Sequence, residues 1–297
     1  MSKRPLPPSF PERPNAIDQA LERAVFALQM QRPDEAGRIA GDVLKANRGN
    51  LLAARILGQA LLMQDRAAEA VAPLEKAARR SEDPAVKTLL AAALAKSGRE
   101  EEALKQIGQV TAGRPPFPPA FIEHAGQLAR TGRFEEAIAV LDSGLAQAPD
   151  SIDLQKELAF LYLKRNERTK ARELFLRALN VAPERHDILT GLAQVLLLDG
   201  EYAAAADTYR RVLALRPDDA VARADLGRCL LEMGERDAGE ASIRMAMRER
   251  PQMLGRAVMS LAMSSRGRFF LRPSAAANSC GASKRLRNVA YARNCRR

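Results

Sequence analysis

The chain is 297 residues long, 46% apolar but only 4% aromatic, and it has no tryptophan. Its apolar residues are mostly Ala and Leu, which favour closely packed helices and argue against a β-sandwich, with its demand for β-branched and aromatic side chains. The net charge of +11 sits at the end: residues 250–297 hold eleven Lys or Arg and no acid, and residues 1–249 balance 36 basic against 36 acidic side chains, so the body offers no basis for a nucleic-acid groove.

In chain order, residues 1–15 carry five prolines and no apolar signal-peptide core, and they read as a disordered arm. No stretch approaches the 18 apolar residues of a membrane span, so the expected compartment is the cytoplasm, and the Ala/Arg-rich usage looks bacterial. A first unit over 17–50 is outlined by Ala24, Ala36, Ala40 and Val43, with Arg48 where later units place proline. A second, over 51–83, runs Leu57-Gly58, Leu61, Ala70, Leu74 and Ala77 with a slip of one residue.

Five clearer copies follow at 84–117, 118–151, 152–185, 186–219 and 220–253. Their prolines, Pro115, Pro149, Pro183, Pro217 and Pro251, recur every 34 residues. Turn positions are Gly98, Gly132, Asn166, Gly200 and Gly234. Small residues recur at Ala91, Ala125, Ala159, Ala193 and Gly227, and again at Ala103, Ala137, Ala171, Ala205 and Gly239. Large ones recur at Leu94, Leu128, Tyr162, Leu196 and Leu230, and at Ile107, Leu141, Phe175, Tyr209 and Ile243. Intervals of three and four within each run are the period of a helix face. Glycine between two runs supplies the positive φ that ends a helix, and the proline after the second run stops it. Each unit is therefore a helix, a tight turn and an antiparallel second helix. One hairpin cannot bury its apolar faces alone, whereas stacked copies bury a continuous core. After Pro251, the face formed by Leu254, Ala257, Val258, Leu261 and Ala262 predicts a capping helix, with its extension reaching 277; residues 278–297 read as a basic disordered tail.

The order seen in Leu158-Ala159, Tyr162, Ala171, Phe175, Pro183 and in Leu226-Gly227, Leu230, Gly234, Ile243, Pro251 resembles the tetratricopeptide repeat. The family's Trp at the fourth position is missing throughout. The resemblance covers residues 16–253, about four-fifths of the chain, and implies an all-α, right-handed superhelical solenoid of about seven repeats closed by a capping helix.

Chemistry is sparse. Cys229, Cys280 and Cys295 have no metal-ligand or disulfide spacing, and Cys229 falls mid-helix among apolar residues. His124 takes a position where other repeats have Leu90, Leu158, Leu192 and Leu226, so it reads as packing; His186, beside a turn, reads as solvated. Lys96-Ser97-Gly98 lacks the strand and glycine spacing of a phosphate loop, and Glu100, Glu101 and Glu102 suit a helix N-terminus. No catalytic residue, metal or cofactor is expected. The segment GRFFLRPSAAA (267–277) resembles one found in free-standing or sulfotransferase-related bacterial repeat proteins. A module working beside a sulfotransferase or glycosyltransferase is therefore one alternative, although residues 254–297 are too few for either catalytic fold.

The family resemblance implies a protein or peptide partner on a concave groove lined by the first helices, at repeat positions two, five, nine and twelve. Candidate contact residues are Arg55, Gln59, Lys156, Phe160, Lys164, Gln194 and Arg228, with Phe160 flanked by Lys156 and Lys164 as an anchor for an extended segment. The chaperone-binding subclass places Lys at position five and Asn at position nine; here Lys156 is followed by Phe160, and no repeat has Asn there, which disfavours that subclass. The second alternative is attachment to nucleic acid or an anionic membrane through the 278–297 tail (Lys284, Arg285, Arg287, Arg293, Arg296 and Arg297, with Tyr291), against which stand a merely solubilising tail and a sequence out of its native frame.

Overall fold

The structure, a computed structural model, describes residues 16–250 together with Gln252 and Gly255. The arm expected over 1–15, the capping helix and extension over 254–277 (all but Gly255) and the tail over 278–297 lie outside the described residues. Among the described residues there are fourteen α-helices and no strand. They divide between two units, residues 1–149 and 150–297. The first holds α1 (Ala16–Gln29), α2 (Pro33–Ala46), α3 (Leu51–Met63), α4 (Ala67–Ala78), α5 (Pro84–Lys96), α6 (Glu100–Thr111), α7 (Pro118–Arg130) and α8 (Phe134–Gln147). The second holds α9 (Ile152–Lys164), α10 (Arg168–Val181), α11 (His186–Leu198), α12 (Tyr202–Leu215), α13 (Ala220–Met233) and α14 (Arg236–Glu249).

Every odd-numbered helix ends in the same way. Gly98, Gly132, Gly200 and Gly234 have φ between +78° and +89°, and Gln31, Asp65 and Asn166 occupy the same left-handed region. Behind each, the next amide reaches back five residues: Arg32 N to Ala27 O (2.8 Å), Arg99 N to Leu94 O (2.9 Å), Glu201 N to Leu196 O (2.9 Å) and their four counterparts. This closure satisfies a carbonyl the helix end would leave without a partner, and it reverses the chain within two or three residues. Asn166 takes the conformation at modest cost because its short amide side chain tolerates it. The slip noted in the sequence lies between Asp65 and Gly98: α4 has 12 residues where α2 has 14, and residues 79–83 then link it to α5.

Small residues bring the two helices of a hairpin together. Ala91, Ala159 and Ala193 on the first helices and Ala103, Ala137, Ala171 and Ala205 on the second are fully buried. The large partners Ile107, Leu141, Phe175 and Ile243 are equally inaccessible and fill the layer between hairpins. In the first unit, Leu21, Ala24, Ala36, Ala40, Ala53 and Ile56 form one such core, and Leu74, Val86, Leu90 and Leu94 build the next. In the second unit the approach is closest between α13 and α14. A Cβ added to Gly227 would lie 2.9 Å from the Gly239 carbonyl oxygen and 2.6 Å from Ile243 Cγ1. Backbone is a neighbour that cannot step aside.

Gly227→Ala should therefore destabilise the chain by about 1–3 kcal/mol through overpacking, read as a lower denaturant midpoint. Gly126→Ala, whose new Cβ meets nothing nearer than the Arg130 guanidinium at 3.7 Å, should instead gain about 0.5–1 kcal/mol from helix propensity.

Candidate functional site

The candidate residues fall in both units. In the first, α3 carries Arg55, half-buried, and Gln59, exposed. In the second, α9 carries Lys156, Phe160 and Lys164, α11 carries Gln194 and α13 carries Arg228. Ser151 caps α9, its hydroxyl accepting from Leu154 N, and so fixes which residues follow one another along the helix. Intervals of three and four put Asp153, Lys156, Phe160 and Lys164 on one side of it.

The lysine is not a free cation. Its Nζ lies 3.2 Å from Asp187 Oδ2, 3.2 Å from Glu157 Oε1 and 4.0 Å from Asp153 Oδ1. Arg185, just before α11, donates to Asp187 Oδ1 (3.0 Å) and Oδ2 (2.8 Å) and to Asp153 Oδ1 (2.9 Å). Asp153 and Asp187 are the same repeat position one period apart, so two cations bridge a like-charged pair from successive hairpins. The Arg185 hydrogen bonds, supported by Lys156, hold the Asp187 carboxyl far below the usual carboxylate range. Burial opposes the charge on Lys156, yet Glu157 and Asp187 outweigh it and raise its pKa. Arg185 is the residue sequence reasoning missed; its one signal was a basic side chain two residues before Asp187.

Phe160 is half-buried, its ring edge-on to Phe175 with centroids 5.1 Å apart and planes at 74°. Phe175 is wholly buried and fits only because residue 191 is glycine: a Cβ there would stand 2.3 Å from the Phe175 ring. The anchor is thus partly core and only partly exposed. Gln194 and Lys164 are exposed and Arg228 is half-buried. Three other positions of the expected lining, Leu197, Ala224 and Leu231, are buried, and Ala224 packs with Ala220 and Ala246.

Each histidine has a polar side-chain neighbour. Half-buried His124 has Nδ1 3.3 Å from Thr111 Oγ1, a hydroxyl that also donates to the Gly108 carbonyl (3.1 Å). Burial pushes the His124 pKa down. His186, expected to be solvated, is half-buried, and Arg216 Nη1 donates to its Nε2 at 2.9 Å. Cys229 is fully buried, its thiol pushed up to about 12 by that burial. Among the described residues no group of three or more His, Cys, Asp or Glu could hold a metal ion, and no helix is long and apolar enough to cross a membrane.

Residues 21–85, 128–195 and 196–261, two-thirds of the chain, match family models described as tetratricopeptide repeat. No curated protein matches the chain. Among solved structures it is similar to a thermophilic tetratricopeptide-repeat protein of Thermus thermophilus, at 23% identity over 61% of this chain and 100% of that one, with a TM-score of 0.55. It is also similar to PilF of Pseudomonas aeruginosa (19% identity, 68% of this chain, 92% of that one, TM-score 0.58). Human IFIT1, solved as a dimer with PPP-AAAA, has 17% identity over 95% of this chain and 73% of its own, with a TM-score of 0.65. At these identities the likeness is one of fold.

The Asp187 bridge gives a pH prediction. A depressed carboxyl pKa contributes stability that is present above its unfolded value, near 4, and is lost as the pH falls through the folded value. Asp187→Asn should cost about 1 kcal/mol at pH 7, the figure being discounted for solvent screening. In urea titrations, the gap from the parent chain should narrow steadily below pH 4.

Proposed function

The chain belongs to the tetratricopeptide-repeat family, and from that premise we propose that it is a cytoplasmic bacterial scaffold or adaptor that binds a peptide or protein segment along its first helices. Repeats of this kind are generally protein-interaction modules and typically non-catalytic. One observation supports this reading: on α9 and α11, the partly exposed Phe160 and the exposed Gln194 share their helices with charges already neutralised by one another.

The chemistry of that face differs from a cationic clamp. Lys156 has carboxylate neighbours on two sides, so an acidic segment finds no unpaired charge there. Recognition rests on apolar contact with the Phe160 ring and on amide hydrogen bonds from Gln194, with Lys164 and Arg228 as the outlying cations of the same unit. Because the bridge and the Phe175 contact hold Lys156 and Phe160 in place, a partner meets side chains that have little rotamer freedom left to lose. The cytoplasmic, bacterial part of the proposal rests on composition.

A photo-reactive residue at Gln194 of the full chain, expressed in a bacterial cytosol, tests the location, with the exposed Glu173 of α10 as control. A discrete protein adduct is expected at Gln194 and none at Glu173, and Phe160→Ala should weaken capture of the identified partner at least tenfold, about 1.4 kcal/mol. Equal labelling at both positions, or recovery of nucleic acid alone, would remove the groove reading.

A further inference from the structure

The first unit holds a second feature, independent of the groove. Between the α2–α3 link, α3 and α4 lies a half-open cavity of about 160 Å³. Its floor is aliphatic, with Leu51, Ala54 and Ala77, and its rim is cationic, with Arg48, Lys76 and Arg80. No carboxylate lines it, and among the described residues none of the three cations has an ion-pair partner. The nearby Glu75 on α4 is engaged by Arg79 and Arg99 instead. Arg80 is held across the mouth, donating from Nη1 to the Arg48 carbonyl at 3.1 Å.

The repeat itself explains why the space exists. Ala54 is the fourth residue of α3; the fourth residues of α7, α9 and α11 are the buried Phe121, Gln155 and Leu189, and those of α5 and α13 are the half-buried Lys87 and Arg223. In α5, α7, α9, α11 and α13 that position carries a long or bulky side chain; in α3 it carries a methyl group. A cavity of about 150 Å³ with apolar walls admits a group the size of benzene. An apolar floor beneath three unpaired cations is complementary to a molecule that has a hydrocarbon end and an anionic end.

We propose that this cavity binds a small apolar carboxylate of about six carbons, the carboxylate held by Lys76, Arg80 and Arg48 and the hydrocarbon seated on Ala54, Leu51 and Ala77. The same chemistry is presented by a free branched carboxylate and by the C-terminal leucine of a peptide. Two probes separate these sources: 4-methylpentanoate and an N-acetylated Ala-Ala-Leu peptide, each titrated into the full chain by NMR and each compared with its uncharged carboxamide.

Saturable binding of either carboxylate with Kd at or below about 1 mM is expected, with at least a tenfold loss for the amide and in a Lys76→Gln/Arg80→Gln variant. Ala54→Leu, which fills the cavity as Leu189 fills its own, should abolish binding and leave far-UV circular dichroism and Tm unchanged or improved. Both variant sets are needed, because the surface pair keeps the fold if the core change does not. Absence of saturation by both probes, equal binding of the amides, or binding that survives Ala54→Leu would overturn the proposal.

Discussion

The distance at which two helix backbones can lie side by side governs this molecule. In each hairpin one small residue on the first helix meets another on the second, and the fully buried alanines at 159, 171, 193 and 205 mark the contact through the second unit. In α13 and α14 both partners are glycine, and the backbones close until no further atom fits. Once that spacing is fixed, the layer between hairpins has a fixed depth, and large residues such as Ile107, Leu141 and Phe175 fill it. The turn follows from the same constraint, since two helices this close must be joined by a reversal of two or three residues, which only a left-handed residue makes.

The candidate groove inherits its character from that stacking. Successive hairpins bring the same repeat position into proximity, so an acidic residue at position two in both copies creates a repulsion that the fold must resolve. Arg185 and Lys156 resolve it and lose their availability to a partner in doing so. A similar exchange holds at Phe160, whose ring is shared between the outer face and the Phe175 layer beneath it.

Period and residue size made the fold legible before any coordinate. Every residue of the two small series is buried, and the left-handed turns share a single 34-residue register once the slip in α4 is allowed for. Gln31 and Asp65 could be placed only by counting, because neither side chain advertises a positive φ. The site was less readable. Lys156 stood out as a basic residue at a lining position, but its partner Asp187 lies some thirty residues away and meets it only through stacking. Likewise, the missing Trp at position four was visible in every repeat, and only the packing shows that the space beside Ala54 stays open.

The residue after each turn follows a pattern that bears on how such a chain finds its own order. In the first unit it is Arg32, Arg66, Arg99 and Arg133, each paired with a glutamate three residues on; in the second it is Glu167, Glu201 and Glu235, and Glu167 pairs with Lys170. Pairing to the preceding hairpin reverses likewise: Arg99 meets Glu75, whereas Glu201 meets Arg172. Hairpins of near-identical shape can nest against the wrong neighbour while the chain folds. The opposite polarity of Arg99–Glu75 and Arg172–Glu201 works against such an exchange: a hairpin carrying one of these turn residues, docked where the other belongs, would face a like charge.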